Sequence, residues 1–303
     1  MRRGGVGAVI ALALVATLAS AISPALLIAV PLALLLIALP PGRSPYRIVG
    51  VILLAVLFAT PPEGALWYAE RGWALMMGAA FLSLVALRPG AAFVGRGILA
   101  VAISLLIAGA ILLVTGAWRP VEWAVGHRFR EAAALWTMLV QNSSDPALAE
   151  AVDTFRRVAD LQTMLYPALL AIASLAALAV AWWGYRRLID QSGGALAAMR
   201  EFRFADHLVW LLIAGAVLLV LPLGDVAARF GANLATFMAA LYVLRGAAIV
   251  IALTGASGAS VVLMGLLAIV LLPFIIGPAL IIGLSDTWLD LRRRASSDDA
   301  ASS

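Results

Sequence analysis

The sequence predicts an all-α, polytopic membrane protein of eight to nine transmembrane helices with one outer amphipathic helical insertion, and three observations carry that expectation. Apolar residues fill 64% of the 303 positions and charged residues only 12%. The apolar residues come in blocks separated by short loops that bear Arg, Pro and Gly. They do not alternate with polar residues, as the strands of a β-barrel would require. A helix closes its own backbone hydrogen bonds where water is absent, so blocks of this kind read as helices in lipid.

The first two blocks, 6–22 and 24–39, would make one helix about 51 Å long at 1.5 Å per residue. Ser23-Pro24 lies between them, and a proline disfavours helix at the residue before it, so a hairpin of two spans is expected. Arg2-Arg3, the apolar stretch and Ala19-Ser20-Ala21 also fit a signal peptide. A second apolar block follows at once, which favours an uncleaved first span.

Further spans are expected at 48–60, 72–87, 97–118, 165–183, 208–223, 232–254 and 259–284. Several are short for a hydrocarbon core of about 30 Å. Tyr46, Trp67, Tyr68 and Trp73 can extend the short ones as interfacial anchors. The whole of 1–294 reads as a single transmembrane helical domain. The tail at 295–303 holds only Ala, Ser and Asp and is expected to be disordered.

The longest polar stretch, 119–160, is the insertion. Val125, Phe129, Ala132, Trp136 and Leu139 fall at helical spacing with His127, Arg128, Arg130 and Glu131 between them, which predicts an amphipathic helix on the membrane surface or capping the bundle. Asn142-Ser143-Ser144-Asp145-Pro146 reads as a stop and restart, with Asp145 as cap and Pro146 at the first helical position. That reading is preferred to a glycosylation site for the Asn-x-Ser match. The charged helix that follows should pair Asp153 with Arg157, four residues on.

All 21 basic side chains are arginine. Without lysine the chain has neither a Walker-type phosphate loop nor a Schiff-base nucleophile, so any ATP-driven role needs a partner. Without cysteine, thiol catalysis, thiolate metal sites and disulfides are excluded. No basic stripe with interleaved aromatics points to nucleic acid.

Arginine placement also orients the chain. With the amino terminus in the cytoplasm, that side receives Arg2, Arg3, Arg43, Arg47, Arg88, Arg96, Arg186, Arg187, Arg200 and Arg203 against Asp190, Glu201 and Asp206. The other side receives Arg71, Arg119, Arg128, Arg130, Arg156, Arg157 and Arg229 against nine acids. The positive-inside rule supports this sense in a bacterial cytoplasmic membrane. Nine crossings would leave Arg292-Arg293-Arg294 outside. A final block broken at Pro273, Gly277 and Pro278 would return the tail to the cytoplasm; the alternative is that one early block does not span.

Ionisable residues inside a bilayer are costly and are the first place to look for function. Arg245, in the 232–254 block, should face the bundle interior and meet Asp225, Asp286, Glu63, helix-end carbonyls or an anionic ligand. A snorkelling or purely structural arginine is the competing reading. Asp286 and Asp290 share a helical face, which favours pairing with Arg292 to Arg294 over metal binding or a proton relay. His127 and His207 form no metal-ligand pattern. No H-E-x-x-H, G-x-S-x-G or embedded aspartate pair is present, so no enzyme, metal or cofactor is expected. Gly4, Ala8, Ala13, Ala16, Thr17, Ser20 and Ala21 recur at four-residue separations and could form a close-packing face.

The last third carries further motifs: Glu201-Phe202-Arg203-Phe204, His207-Leu208-Val209-Trp210, Asn233-Leu234, Leu241-Tyr242-Val243-Leu244-Arg245-Gly246, and a run from Gly283 to Arg292. Together they resemble the YybS-like family of predicted bacterial membrane proteins. In that family the position of Arg245 is usually a glutamine before the glycine. This chain departs there, which weakens any role needing a neutral amide. YybS-like proteins are in turn similar to the substrate-binding membrane subunits of energy-coupling-factor uptake systems. The resemblance implies a small-molecule subunit that docks through its first helix, with Ala13, Thr17 and Ser20 as the docking face, onto a transmembrane coupling protein with ATPases. A ligand site near the midplane would then use Arg245, Asn233, Asp286 and Trp210. The expectation from a different class is an envelope scaffold that binds membrane proteins and transports nothing.

Overall fold

The computed structural model describes residues 23–40, 44–62, 64–140, 146–189, 202–254 and 272–289. Within them the chain is a series of helices joined by short non-helical turns, with no strand. The helices are α1 Pro24–Ala38, α2 Pro45–Phe58, α3 Gly64–Leu87, α4 Phe93–Thr115, α5 Trp118–Val140, α6 Pro146–Met164, α7 Tyr166–Ile189, α8 Val209–Val220, α9 Asp225–Thr254 and α10 Leu272–Leu289. A single 3-10 turn, Asp206–Leu208, leads into α8.

Four of these helices, in α3, α4, α7 and α9, are long and apolar enough to cross a membrane, and α1, α2, α8 and α10 are shorter apolar helices. The protein is thus a membrane-embedded helical bundle. The expected first span, the docking residues Ala13, Thr17 and Ser20, the Asn142–Asp145 turn, Glu63, Asp290, Arg292 to Arg294 and the tail lie outside the described residues.

Local chemistry sets the helix starts. Pro24 and Pro45 open α1 and α2, where a missing N–H costs nothing because first-turn donors have no intrahelical acceptor. Ser44 caps α2 by accepting from the Tyr46 N–H at 3.3 Å. Gly116, at φ +67°, ends α4 in the left-handed conformation and turns the chain into α5. The break expected in the final block at Pro273, Gly277 and Pro278 is not found: α10 runs as one helix from Leu272 to Leu289 through all three, the prolines lying in its first turn and on its apolar length, and residues 255–271 lie outside the described residues.

At the centre of the bundle, α7 packs against α1, α4 and α9. Leu27, Leu35, Met77, Phe81, Leu178 and Met238 form one dry core from α1, α3, α7 and α9. Trp73 Nε1 donates to Ser174 Oγ at 2.9 Å across α3 and α7, satisfying both polar atoms inside that core.

The polar insertion is a helical hairpin, α5 against α6. Two ion pairs fasten it to the bundle: Arg128 to Glu70 of α3, and Glu122 to Arg229 of α9. On α6, Asp153 pairs with Arg156 at 3.7 Å, while Arg157 donates to Thr154. The expected Asp153–Arg157 pair is therefore replaced by the shorter i,i+3 geometry.

In the carboxy-terminal part, α9 lies between α8 and α10 and meets each through glycines. A Cβ at Gly231 would fall 2.7 Å from the Gly215 carbonyl oxygen of α8. A Cβ at Gly246 would overlap the Ala279 carbonyl of α10, and one at Gly283 would overlap the Tyr242 carbonyl. Residues 242 and 246 thus oppose 283 and 279, so α10 runs antiparallel to α9. Such backbone contact is the small-residue packing that lipid-embedded helices use.

Candidate functional site

Beside the Gly246–Gly283 crossing sits the most buried charge among the described residues. Arg245 is 0% exposed and Asp286 2%. Arg245 Nε donates to Asp286 Oδ2 at 2.9 Å, and Nη2 lies 2.9 Å from the same oxygen. Nη1 donates to Asp206 Oδ1 at 2.8 Å. The Phe204 ring covers the guanidinium, with Cζ 5.4 Å from its centroid, and Phe204 in turn meets Tyr242 edge to face.

Three elements supply these groups for local reasons. Arg245 projects from α9 one residue before the glycine that brings α10 to touching distance. Asp286 follows Gly283 by three residues, so it lies on the same face of α10. The non-helical segment 202–205 tucks Phe204 into the core, which delivers Asp206 at the 3-10 turn. Asp206 is half-exposed, and Arg203 Nη2 approaches its other oxygen at 3.7 Å. The result is a chain of alternating charge, Arg203–Asp206–Arg245–Asp286, running from the surface into the bundle.

Alternation matters energetically. A lone buried guanidinium is prohibitively costly, whereas each charge here faces an opposite one. Tyr242 Oη and Thr287 Oγ1 are buried close by and face each other. Both retain hydrogen-bonding capacity within the cluster.

Of the sequence-expected site residues, Arg245 and Asp286 are brought together. Asn233 is elsewhere, twelve residues earlier on α9, about 18 Å along the axis. Its Oδ1 accepts from the Ala168 N–H at 3.0 Å, and its Nδ2 donates to the Met164 carbonyl at 3.0 Å and the Arg229 carbonyl at 2.9 Å. Trp210 is 68% exposed on the first turn of α8 and does not line the buried cluster. Among the acids expected near Arg245, Asp225 opens α9 some twenty residues away.

Asp206 is the partner that sequence reasoning missed. It entered only as a loop charge, although its position two residues after a buried phenylalanine and just before a span is a usable signal. Among the described residues no group of three or more His, Asp or Glu is placed to hold a metal ion.

Residues 7–287, nearly the whole chain, match a family model described as predicted membrane protein (DUF2232). That agrees with the resemblance to YybS-like membrane proteins. No curated protein and no solved structure matches the chain.

Proposed function

The chain belongs to the DUF2232 family of predicted membrane proteins, and from that premise we propose that it is a non-enzymatic scaffold or assembly component of the bacterial cytoplasmic membrane, acting by binding other membrane proteins. The observation that supports this reading is the closure of the Arg245 site. A ligand-binding subunit needs its charged groups to face an open cavity. Here Arg245 and Asp286 face each other under Phe204, and Asn233 is committed to backbone groups at the start of α7.

The competing reading is the substrate-binding membrane subunit of an energy-coupling-factor-like uptake system, working with a transmembrane coupler and ATPases. One observation favours it: two buried hydroxyls, Tyr242 Oη and Thr287 Oγ1, face each other beside the Arg245–Asp286 pair. The test is affinity purification of the full-length protein in mild detergent, followed by mass spectrometry of proteins and small molecules. Recovery of envelope-assembly membrane proteins without a bound small molecule supports the scaffold. Recovery of a transmembrane coupler with ATPases overturns it in favour of uptake.

A further inference from the structure

Arginines hold α2 at both ends. At its amino end Arg47 Nη2 donates at 2.8 Å to the carbonyl of Pro40, just past α1. At its carboxy end Arg71 of α3 donates to the Leu57 carbonyl through Nε at 3.2 Å and Nη2 at 3.1 Å, and its Cζ lies 3.9 Å from the Trp67 ring centroid. Gly50 fixes the register between these ends, because a Cβ there would fall 2.8 Å from the Ala33 carbonyl oxygen of α1. Both guanidinium groups are committed to backbone carbonyls, so neither extends the apolar reach of α2 by snorkelling outward.

Between Arg47 and Thr60 the chain is apolar without interruption, from Ile48 to Ala59. This run rises about 18 Å at 1.5 Å per residue, against a hydrocarbon core of about 30 Å. Tilting α2 only shortens its reach across the membrane. The outer face of the run is open, with Ile48, Val49, Ile52 and Val56 each at least half exposed. Aromatic side chains suited to the membrane boundary stand at both ends: Tyr46 at one, and at the other Trp67, whose Nε1 donates to Thr60 Oγ1, with exposed Tyr68 packed edge to face against it. On α4 the apolar run from Gly97 to Val114 rises about 27 Å and exposes Leu106, Ile111 and Val114. The bundle therefore meets lipid with one short face and one of ordinary height.

We propose that α2 is a membrane-thinning surface, which draws the two leaflets together beside it and is covered by the acyl chains of a locally thinned bilayer. A bilayer answers an apolar face shorter than its core by thinning, since otherwise acyl chains would meet the polar ends of the helix. Short-chain phospholipids fit such a face with less compression than long-chain ones. The residues of the face favour lipid over a second helix. Helix pairs in lipid approach through small side chains, whereas this face presents Ile and Val between two aromatic ends, the pattern of a lipid-facing belt.

The chain has no cysteine, so single spin labels can report depth. Full-length protein carrying Val49→Cys, Ile52→Cys, Val56→Cys or Leu106→Cys is labelled, placed in dioleoylphosphatidylcholine vesicles and read by its accessibility to oxygen and to a nickel chelate. On α2 the label at Ile52 should be deepest, with Val49 and Val56 shallower. Counted from the nearer end of each apolar run, Ile52 should lie at about 7 Å and Leu106 at about 13 Å. Dimyristoleoylphosphatidylcholine, with shorter chains, should narrow that difference. Equal depths at Ile52 and Leu106 overturn the thinning. A depth that changes steadily from Val49 to Val56 also overturns it, because α2 would then dip into a single leaflet. Loss of oxygen access at Ile52 overturns the lipid occupant, and dipolar broadening between labels would then identify a second copy of the chain. If I52C does not insert, V51C on the same exposed face takes its place in the comparison with Leu106.

Discussion

Asn233 replaces a missing turn of backbone in front of α7 by accepting a hydrogen bond from the N–H of Ala168 at 3.0 Å. Pro167 has no N–H to give Thr163, and the Ala168 N–H is turned toward α9 instead of toward Met164. Two α9 side chains take the carbonyls left over: Asn233 Nδ2 binds Met164 O at 3.0 Å, and Arg229 Nη2 reaches Thr163 O at 3.5 Å. The break between α6 and α7 is thus held by residues four apart on another helix.

Replacing Asn233 by Leu should therefore strand a backbone donor and acceptor at once. The expected cost is about 1 kcal/mol for the partly buried backbone groups left unpaired. Thermal unfolding in detergent should show N233L well below wild type, with Trp210→Ala, on the exposed first turn of α8, close to it. Equal melting of N233L and wild type would show that the break is held by something else.

The charge chain predicts a strong non-additivity. Arg245→Gln leaves Asp286 buried without its cation, a loss on the order of 3–5 kcal/mol, and Asp286→Asn leaves Arg245 with only half-exposed Asp206. The double variant R245Q/D286N removes the uncompensated charge and should be more stable than R245Q alone. A double-mutant cycle measured by unfolding reads the coupling directly, and additive single effects would contradict a closed pair.

Glycine substitutions separate packing from composition. Gly246→Ala places a methyl group against the Ala279 carbonyl, whereas a Cβ at Gly109 meets nothing within 4 Å. G246A should lower yield and monodispersity by size-exclusion chromatography in detergent. G109A should leave both unchanged or improved, since alanine is the better helix former by roughly 1 kcal/mol.

Because the natural chain has no cysteine, orientation can be read with single introduced thiols. Arg88→Cys should react with a membrane-impermeant maleimide only after cells are broken, and His127→Cys, exposed on α5, should react in intact cells. The reverse pattern would invert the topology expected from arginine placement.

How much of this was legible beforehand varies with the kind of interaction. Membrane immersion and helical class follow from block length and hydropathy, which are local properties. Arg245 stood out because charge in an apolar block is rare, and Asp286 was among its expected partners as one of the few acids next to an apolar block. Asp206 was hidden: nothing local says that Phe204 is tucked into the core and carries Asp206 to Arg245. Asn233 was read as a ligand residue only because an uptake subunit would need a polar cavity near the midplane. Its actual contacts are with a backbone break 65 residues away, where Pro167 marks the break but not what answers it. The insertion was recognised as helical and amphipathic, while its attachment through Glu70 and Arg229 depends on tertiary placement that spacing cannot express.

The glycine crossing of α9 and α10 also limits how this part of the protein can move. A slip of one helical turn, about 5.4 Å, would set the Ala279 carbonyl opposite Tyr242 or Val250, both of which carry a Cβ, and would draw Asp286 away from Arg245. Sliding is opposed sterically and electrostatically at the same point. The motion left open is a scissor rotation about Gly246 and Gly283, so that any signal carried by α10 reaches α9 as a change of angle, with its axial register preserved.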